Sequence, residues 1–204
     1  MLTMIPGRVG FYTDENILVP NLGHAFRFLS IIAAWKTIVS DNPFMKSVKI
    51  EVHQYPHLQW HWYILQDMTP ELLYDLMALR EAIFVVEQTC IYHELDGLDK
   101  IAQHLLLKHD DEVIACLRLL PPLEKEPRVR IGRVAVSKKW RKQGIARVMI
   151  KQAVAKARQD FPSSGVFLDA QTYLQGFYLS LGFETCGDEF LEDGIPHIPM
   201  QLTD

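Results

Sequence analysis

The chain has 204 residues, of which 49% are hydrophobic, a composition that fits one domain with a sizeable core and excludes a disordered chain. Its 21 basic and 25 acidic residues leave a formal net charge of −4, which makes nucleic acid a weak candidate partner. The three cysteines, Cys90, Cys116 and Cys186, are odd in number and lack paired spacing, so neither a disulfide framework nor a zinc site is predicted. A reduced, cytoplasmic setting is expected.

The first 44 residues form an extension of uncertain structure, with one possible helix from His24 to Val39. Its apolar part is shorter than the ~20 residues that a membrane-spanning helix needs, and it lies too far from Met1 for a signal peptide. No membrane association is therefore expected. Alternating apolar residues after Met45 predict a strand. We divide the chain into the extension, residues 1–44, and one domain, residues 45–204. Two interpretations stay open: Met45 is a usable start, or the extension packs on the domain as a helix.

From Trp60 onward the apolar pattern alternates between strand and helix periods. A strand at Trp62 to Ile64 precedes a helix that Thr69 caps and Pro70 opens. The later predicted elements are a hairpin over Leu105 to Leu119 with its turn at Asp110-Asp111, a strand over Arg128 to Val136, a helix with Ala146, Ile150, Ala153 and Ala157 on one face, a strand at Val166 to Leu168, a short helix over Tyr173 to Leu181, and strands at Phe183 to Thr185 and His197 to Leu202.

A basic loop, Ser137 to Gln143, joins one of these strands to the next helix and ends at Gly144. A strand that enters a helix through such a loop leaves several backbone N–H groups unpaired at the positive end of the helix dipole. Nine of the 21 basic residues, and none of the 25 acidic residues, lie between Ile131 and Gln159. These features predict an anion site, with phosphate as the commonest ligand. A solvated basic turn and a nucleic-acid patch are the alternatives.

Two motifs in this order resemble the GNAT superfamily of acyl-CoA-dependent N-acyltransferases. The loop matches the pyrophosphate-binding signature of that superfamily (Gln or Arg, two residues, Gly, one residue, Gly or Ala) at Arg141, Gly144 and Ala146. Downstream, Phe177 to Phe183 looks like its tyrosine helix and Gly-Phe turn. The first motif alone occurs in many proteins, and the second motif, at the expected distance downstream, makes the resemblance specific.

Three further segments resemble the ElaA-like branch of the superfamily: Phe84 to Gln88 with Cys90 and Tyr92, Asp96-Gly97 with Asp99, and Glu192 to His197. The resemblance covers about Trp60 to Leu202. One departure is Gln171, which stands where the superfamily usually has Asn, seven residues before the tyrosine. Glutamine keeps the amide group, but its longer side chain places the amide farther from the backbone than asparagine would.

The resemblance implies an α/β fold with a mixed, mostly antiparallel central sheet that is splayed at one edge to admit CoA and flanked by helices. It implies acetyl-CoA as a cosubstrate, held through the loop and through the backbone of a splayed strand that pairs with pantetheine. The residues assigned to acetyl-CoA are Val134, Val136, Arg141, Lys142, Gln143, Gly144, Ile145, Ala146, Arg147 and Gln171.

Tyr178 is the candidate general acid, because a departing thiolate needs a proton and a nearby phenol can donate it. The general base is less specific: several acids and histidines could serve, and Glu87 and His197 lead because both lie in the branch-like segments. No metal is expected to take part. The alternative role of Tyr178 is to pack its helix onto the sheet.

The sequence therefore predicts an enzyme, an N-acetyltransferase that moves an acetyl group from acetyl-CoA to a primary amine. Acidic residues on the acceptor side, Glu87, Glu94, Asp96 and Asp99, suggest a cationic amine. The alternative is a non-catalytic acyl-CoA sensor or partner-binding module, and a nucleic-acid module is third. The acceptor, the acyl-chain preference and the oligomeric state stay open.

Overall fold

The computed structural model describes residues 58–202 and two short strands, β1 (Phe11–Tyr12) and β2 (Leu18–Val19), which pair antiparallel. The chain divides into two compact units, Met1–Gln54 and Tyr55–Asp204. The expected helix over residues 24–39, the strand after residue 45 and the boundary between residues 44 and 45 lie outside the described residues.

A helical segment follows the first strand of the larger unit, β3 (Leu58–Ile64). Helix α1 (Pro70–Arg80) begins as the sequence predicts, because the Thr69 hydroxyl accepts a hydrogen bond from the N–H of Leu72 and proline occupies the first turn. The helix then continues without a break into a π-helix, Glu81–Glu87, which the sequence did not predict. Wide turns of this kind are frequent at functional sites.

The larger unit contains a mixed sheet in the order β3-β4-β5-β6-β7-β10-β8, with β9 paired to β10. Neighbours are antiparallel except β6 and β7, which are parallel. The predicted fold class is confirmed. The remaining strands are β4 (Gln103–His109), β5 (Glu112–Leu120), β6 (Val129–Val136), β7 (Val166–Gln171), β8 (Glu184–Thr185), β9 (Phe190–Glu192) and β10 (Ile195–Leu202), and the remaining helices are α2 (Ile145–Asp160) and α3 (Gln175–Leu179).

The two faces of the sheet are covered by different helices. On one face, Met149 and Ala153 of α2 are fully buried in the larger apolar core. On the other face, Leu76 of α1 packs with Leu106 and Cys116 in a smaller core. Strand residues alternate between these two cores, so that the side of each residue follows from its position in the strand.

An arginine–carboxylate cluster joins α1, β5, β6 and the segment after the π-helix. Its members are Arg80, Arg118, Arg133, Glu94, Asp96 and Asp99. The Arg80 guanidinium is 1% exposed and donates to Glu94 through Nε at 2.7 Å and to Asp99 through Nη1 at 2.7 Å. Three arginines face three carboxylates, so the cluster is formally neutral.

Contacts with arginines lower the pKa values of two of these carboxylates, Asp96 and Asp99. Burial alone would raise the pKa of Asp96, but hydrogen bonds from Arg118 and from the backbone of Leu98 lower it to about 2. The pKa of Asp99 is also lowered, because Arg80 and Arg118 outweigh its burial. Asp96 and Asp99 therefore stay ionised at neutral pH, and the cluster holds the segment around residues 94–99 against the sheet.

Replacing Arg80 with methionine should lower the free energy of unfolding by about 3–5 kcal/mol, because two buried carboxylates lose their main partner. Urea denaturation at pH 7 measures the change. Lys139→Met is the control: its pair with Glu112 is exposed, with 60% and 51% of the two side chains accessible, and should contribute less than about 1 kcal/mol. Similar losses in both variants would show that the cluster is not a principal stabilising contact.

Candidate active site

The sheet opens between β6 and β7. The two strands pair at only two positions, Val129 with Val166 and Arg130 with Phe167. Beyond Arg130, β6 keeps β5 as its partner on one side, while its other side faces a gap. Backbone N–H and C=O groups need partners, so this open strand edge suits a ligand that binds as an added strand does. A cavity of about 750 Å³ lies at the gap, a size usual for small-molecule sites.

A β-bulge in β6 accompanies the opening. Cys116 pairs with Ala135 and Arg118 with Gly132, so two residues of β6 oppose one residue of β5. The bulge includes Arg133, which adopts a φ of 51°, an uncommon value for a residue other than glycine. A bulge increases the local twist of a strand, and it therefore helps to turn β6 away from β7.

Val134 and Val136, the two strand residues assigned to pantetheine, differ in what their backbone can offer. Both line the cavity. The carbonyl oxygen of Val136 accepts a hydrogen bond from Nε of Arg141 at 2.9 Å, which anchors the loop to the end of the strand. An added strand would thus find the Val136 carbonyl occupied, and Val134 is the stronger candidate for pairing through a carbonyl.

The loop after β6 leads into the N-terminus of α2. Lys142 and Gly144 take positive φ values of 63° and 79°, which turn the chain tightly into the helix. Gly144 is the N-cap and provides no side-chain cap, and the first turn of the helix contains no acidic residue. Among the described residues no side chain caps the first N–H groups of this 16-residue helix, and its first turn lines the cavity. This arrangement fits a phosphate group.

Tyr178 lies on α3 and lines the same cavity. The residue is 7% exposed, and its ring makes edge-to-face contacts with Phe177 and Phe183 at centroid distances of 5.1 and 5.9 Å. Burial raises the pKa of the phenol above its ordinary range, so the hydroxyl keeps its proton at neutral pH. No residue in the described part of the chain forms a hydrogen bond with this hydroxyl.

The sequence matches the acetyltransferase (GNAT) domain family over residues 64–204. The chain belongs to the GNAT acetyltransferase family. It is an acyl-CoA-dependent acyltransferase, because both the family and the acyltransferase fold support that activity.

Relatives and solved structures agree with this assignment. A UPF0039 protein of Schizosaccharomyces pombe is 46% identical over 132 residues, which cover 64% of this chain and 87% of that protein. An acyl-CoA N-acyltransferase from Pseudomonas aeruginosa has 40% identity and a TM-score of 0.68, with 72% of this chain and 99% of that one covered. The structure of Escherichia coli ElaA has 34% identity and a TM-score of 0.67, with the same coverage. The predicted resemblance to the ElaA-like branch is confirmed.

Arg141 of the GNAT loop is bound to a carboxylate at the other wall of the cavity. Its Nη1 and Nη2 groups donate to Glu87 at 2.6 and 2.9 Å, which ties the loop to the end of the π-helix. The hydrogen bonds from Arg141 lower the pKa of Glu87. A carboxylate with a lowered pKa is a weaker base, so this geometry does not favour Glu87 as the group that deprotonates an amine.

The other loop residues assigned to the cofactor lie at the mouth of the cavity or near it. Lys142 and Gln143 are exposed, and the Gln143 amide donates to the carbonyl of Lys139 at 3.4 Å. Ile145 and Ala146 form the first turn of α2 and line the cavity. Arg147 donates from Nη2 to the hydroxyl of Ser180 at 2.9 Å, and thereby joins α2 to the helix that bears the tyrosine.

Gln171 closes the far end of β7 and lines the cavity. Its amide nitrogen donates to the side-chain carbonyl of Gln88 at 3.2 Å. This contact joins the end of β7 to the residue after the π-helix. The amide therefore holds two walls of the cavity together, as well as facing the space assigned to the cofactor.

His197, the other candidate base, lies opposite Gln171 on β10 and is 8% exposed. Its Nδ1 is 2.9 Å from the carbonyl oxygen of Ile195, which assigns the proton of the neutral ring to Nδ1 and leaves Nε2 as an acceptor. The carboxylate of Glu192 is 3.8 Å from Nε2. His197 lines the cavity, so its basic nitrogen belongs to the same site as Tyr178.

Among the charged residues that line the cavity, the sequence analysis did not single out Arg118, Arg130 or Asp169. Burial raises the pKa of Asp169, although Arg130 donates to it from Nη2 at 2.6 Å. The sequence did contain an indication of two of them, because Arg118 and Asp169 are charged residues within largely apolar strands. A polar residue within a buried strand indicates either an ion pair or a site.

The acidic acceptor side that the sequence suggested is neutralised by arginines. Glu94, Asp96 and Asp99 belong to the arginine–carboxylate cluster, and Glu87 is paired with Arg141. These four carboxylates therefore do not form a free anionic surface. Within residues 58–202, no group of His, Cys, Asp and Glu side chains is suited to a metal ion, and no described helix is long and apolar enough to cross a membrane.

Gly144→Val should reduce the affinity for acetyl-CoA about tenfold or more, because a branched side chain would stand where phosphate must approach the helix N–H groups. Isothermal titration calorimetry measures this. Gly97→Val is the matched control, since Gly97 has the same φ of 79° but open space around it. It carries the same backbone strain and should bind normally. Unchanged binding in a folded Gly144→Val variant would remove the loop from the cofactor site.

Proposed function

We propose that the protein transfers an acetyl group from acetyl-CoA to a primary amine, in a complex that holds both substrates at once. The observation that carries this proposal is the position of Tyr178. Its protonated, buried hydroxyl lines the cavity whose mouth is formed by the uncapped start of α2. A CoA molecule with its pyrophosphate at that mouth and its pantetheine along β6 would bring the thioester sulfur toward the phenol.

The proposed reaction has one nucleophilic attack, one proton transfer to sulfur and the loss of two protons from the charged amine. The amine nitrogen forms a bond to the thioester carbonyl carbon, the carbon–sulfur bond breaks, and the thiolate leaves with a proton from Tyr178. Burial holds this phenol protonated until negative charge develops on sulfur. The charged amine loses one proton to the base before attack and a second as the amide forms; one of these protons returns to Tyr178 through solvent, and the other is released.

His197 is the proposed base. An alkylamine with a pKa of ~10.4 arrives charged at neutral pH and must lose a proton before it attacks. The unprotonated Nε2 of His197 can accept this proton, and Glu192, 3.8 Å away, can stabilise the imidazolium that forms. Glu87 was the other predicted base, and its ion pair with Arg141 makes it the less suitable one.

Acetyl is the proposed acyl group, because charged side chains line the cavity beyond the splay. Arg118, Asp169 and Glu192 all line the cavity. A long alkyl chain placed there would remove water from these groups without replacing its hydrogen bonds, which is unfavourable. A two-carbon group avoids that contact.

A cationic amine stays a prediction for the acceptor. The carboxylates that first suggested it are neutralised, and Asp169 and Glu192 now supply the acidic character near His197. A non-catalytic acyl-CoA sensor would bind acetyl-CoA at the same loop but release no thiol in the presence of any amine. Measuring thiol release across a panel of amines separates the two functions.

Tyr178→Phe should slow turnover by roughly 100-fold or more, because the ring stays in place and only the proton donor is lost. Such a loss corresponds to about 2.7 kcal/mol of transition-state stabilisation. Affinity for acetyl-CoA should change by no more than a few-fold. Tyr74→Phe, which removes an exposed hydroxyl from α1, should leave both quantities unchanged. Full activity of Tyr178→Phe would show that the thiolate leaves without this proton, and equal losses of turnover and affinity would make Tyr178 a binding residue.

His197→Asn should lower kcat at pH 7 by about 100-fold or more, with little change in acetyl-CoA affinity. The loss should shrink as the pH approaches ~10, because the amine then arrives deprotonated without help. Steady-state kinetics between pH 6.5 and 9.5 measure this dependence, with the exposed His61→Asn as control. A loss that is the same at every pH would assign His197 a structural role.

A further inference from the structure

A row of charged or polar side chains crosses the sheet on the face that α2 does not cover. Arg118, Arg130, Asp169 and His197 come from β5, β6, β7 and β10, one from each strand. Their immediate neighbours in β5, β6 and β7, and Ile198 next to His197 in β10, point the other way, into or against the apolar core of α2. All four line the cavity. A buried polar row is unfavourable unless its groups find partners, so the partners of each group indicate what a ligand must supply.

One of the two arginines nearest the splay has its charge satisfied within the protein. Arg118 donates to Asp96 from Nη2 at 2.6 Å and from Nη1 at 2.8 Å, and to Asp99 from Nη1 at 3.1 Å. It belongs to the neutral arginine–carboxylate cluster. Asp96 and Asp99 thus balance the charge of Arg118, although its Nε has no hydrogen-bond partner among the described residues, and the ionic groups left for an acceptor lie outside the cluster.

Arg130 lies outside the cluster and has donors to spare. Its guanidinium is 39% exposed and makes one hydrogen bond, from Nη2 to Oδ2 of Asp169 at 2.6 Å. Among the described residues, its other N–H groups have no acceptor. A guanidinium carries five N–H donors in a planar fork that matches a carboxylate. The unused donors of Arg130 therefore fit a carboxylate on the ligand.

Acceptors for an ammonium lie beside the same guanidinium. Asp169 uses one carboxylate oxygen for Arg130, and its other oxygen has no hydrogen-bond partner among the described residues. Glu192 is exposed and lies near His197. An acceptor with only a positive charge would leave the donors of Arg130 unmatched. An acceptor with only a negative charge would lack the nucleophile.

We infer that the acceptor is an aminocarboxylate, with its carboxylate bound by Arg130 and its amine directed to Asp169 and His197. This inference rests on the proposed acetyl transfer and names the substrate class. Arg130 is a specificity-determining residue in this account and takes no part in the bond changes.

The test uses matched acceptors that differ only in the carboxylate. Lysine is compared with cadaverine, and glycine and γ-aminobutyrate with the amide of each, by thiol release from acetyl-CoA. One or two charge-assisted hydrogen bonds from Arg130 should raise kcat/KM for the aminocarboxylate about 10-fold or more over its partner. The advantage should reside mainly in KM, because the carboxylate is bound before and during the reaction.

Variants of Arg130 assign the preference to this residue. Arg130→Gln should bring the ratio of kcat/KM values within a pair close to one, because only the aminocarboxylate loses a contact to its carboxylate. Arg130→Lys, which keeps the charge and the fold but loses the fork, should retain part of the ratio. Arg128→Gln is the matched control, since Arg128 also lies over the Phe167 ring but does not line the cavity, and it should retain the full ratio.

Each outcome decides a separate question. If wild-type protein uses carboxylate-free amines equally well or better, or if Arg130→Gln keeps the preference, the aminocarboxylate inference is wrong and the acetyltransferase proposal stands. If acetyl-CoA binds but no amine of either class releases thiol, the proposed function fails and the inference fails with it.

Discussion

The site depends on the short backbone pairing between β6 and β7. Two paired positions hold the parallel strands together at one end, and the bulge around Arg133 turns β6 away beyond them. A sheet that parts in its interior leaves backbone groups without partners, which is unfavourable unless a ligand or water completes them. In this GNAT domain the same divergence creates the cavity, directs the loop toward its mouth and places Tyr178 at its wall. The positions of the site residues therefore depend on the path of the backbone at this divergence.

The arginine–carboxylate cluster complements this opening. A sheet that parts is locally weak, and the cluster fastens α1 and the segment around residues 94–99 to β5 and β6 beside the gap. Because the cluster is formally neutral, its arginines differ from the charged residues outside it that line the cavity. Arg80, Arg118 and Arg133 serve the fold, whereas Arg130 and Asp169 keep hydrogen-bonding capacity for a ligand. All of these residues lie near the cavity, and only their hydrogen bonds show which of them have capacity left for a ligand.

The elements near strong local signals could be predicted from the sequence. Thr69-Pro70 fixed the start of α1, and the basic loop with Gly144 fixed the start of α2, because caps and positive φ values are local properties. The π-helix at Glu81–Glu87 and the short strand β9 were not predicted, since neither has a distinct periodicity. Pairings across the fold were also inaccessible: nothing near Glu87 in sequence indicates that Arg141 would bind it. The acidic acceptor side was misjudged for the same reason.

Backbone amide exchange on binding of acetyl-CoA tests the central claim most directly. Hydrogen–deuterium exchange, followed residue by residue, should slow at the free edge of β6 around Val134 and at Ile145 to Arg147 when acetyl-CoA is added. The amides of β4, which lie between β3 and β5, should not change. This result is expected because the pantetheine and the pyrophosphate take the partners that the opened sheet and the uncapped helix lack. Protection elsewhere, with β6 and the start of α2 unchanged, would contradict the account.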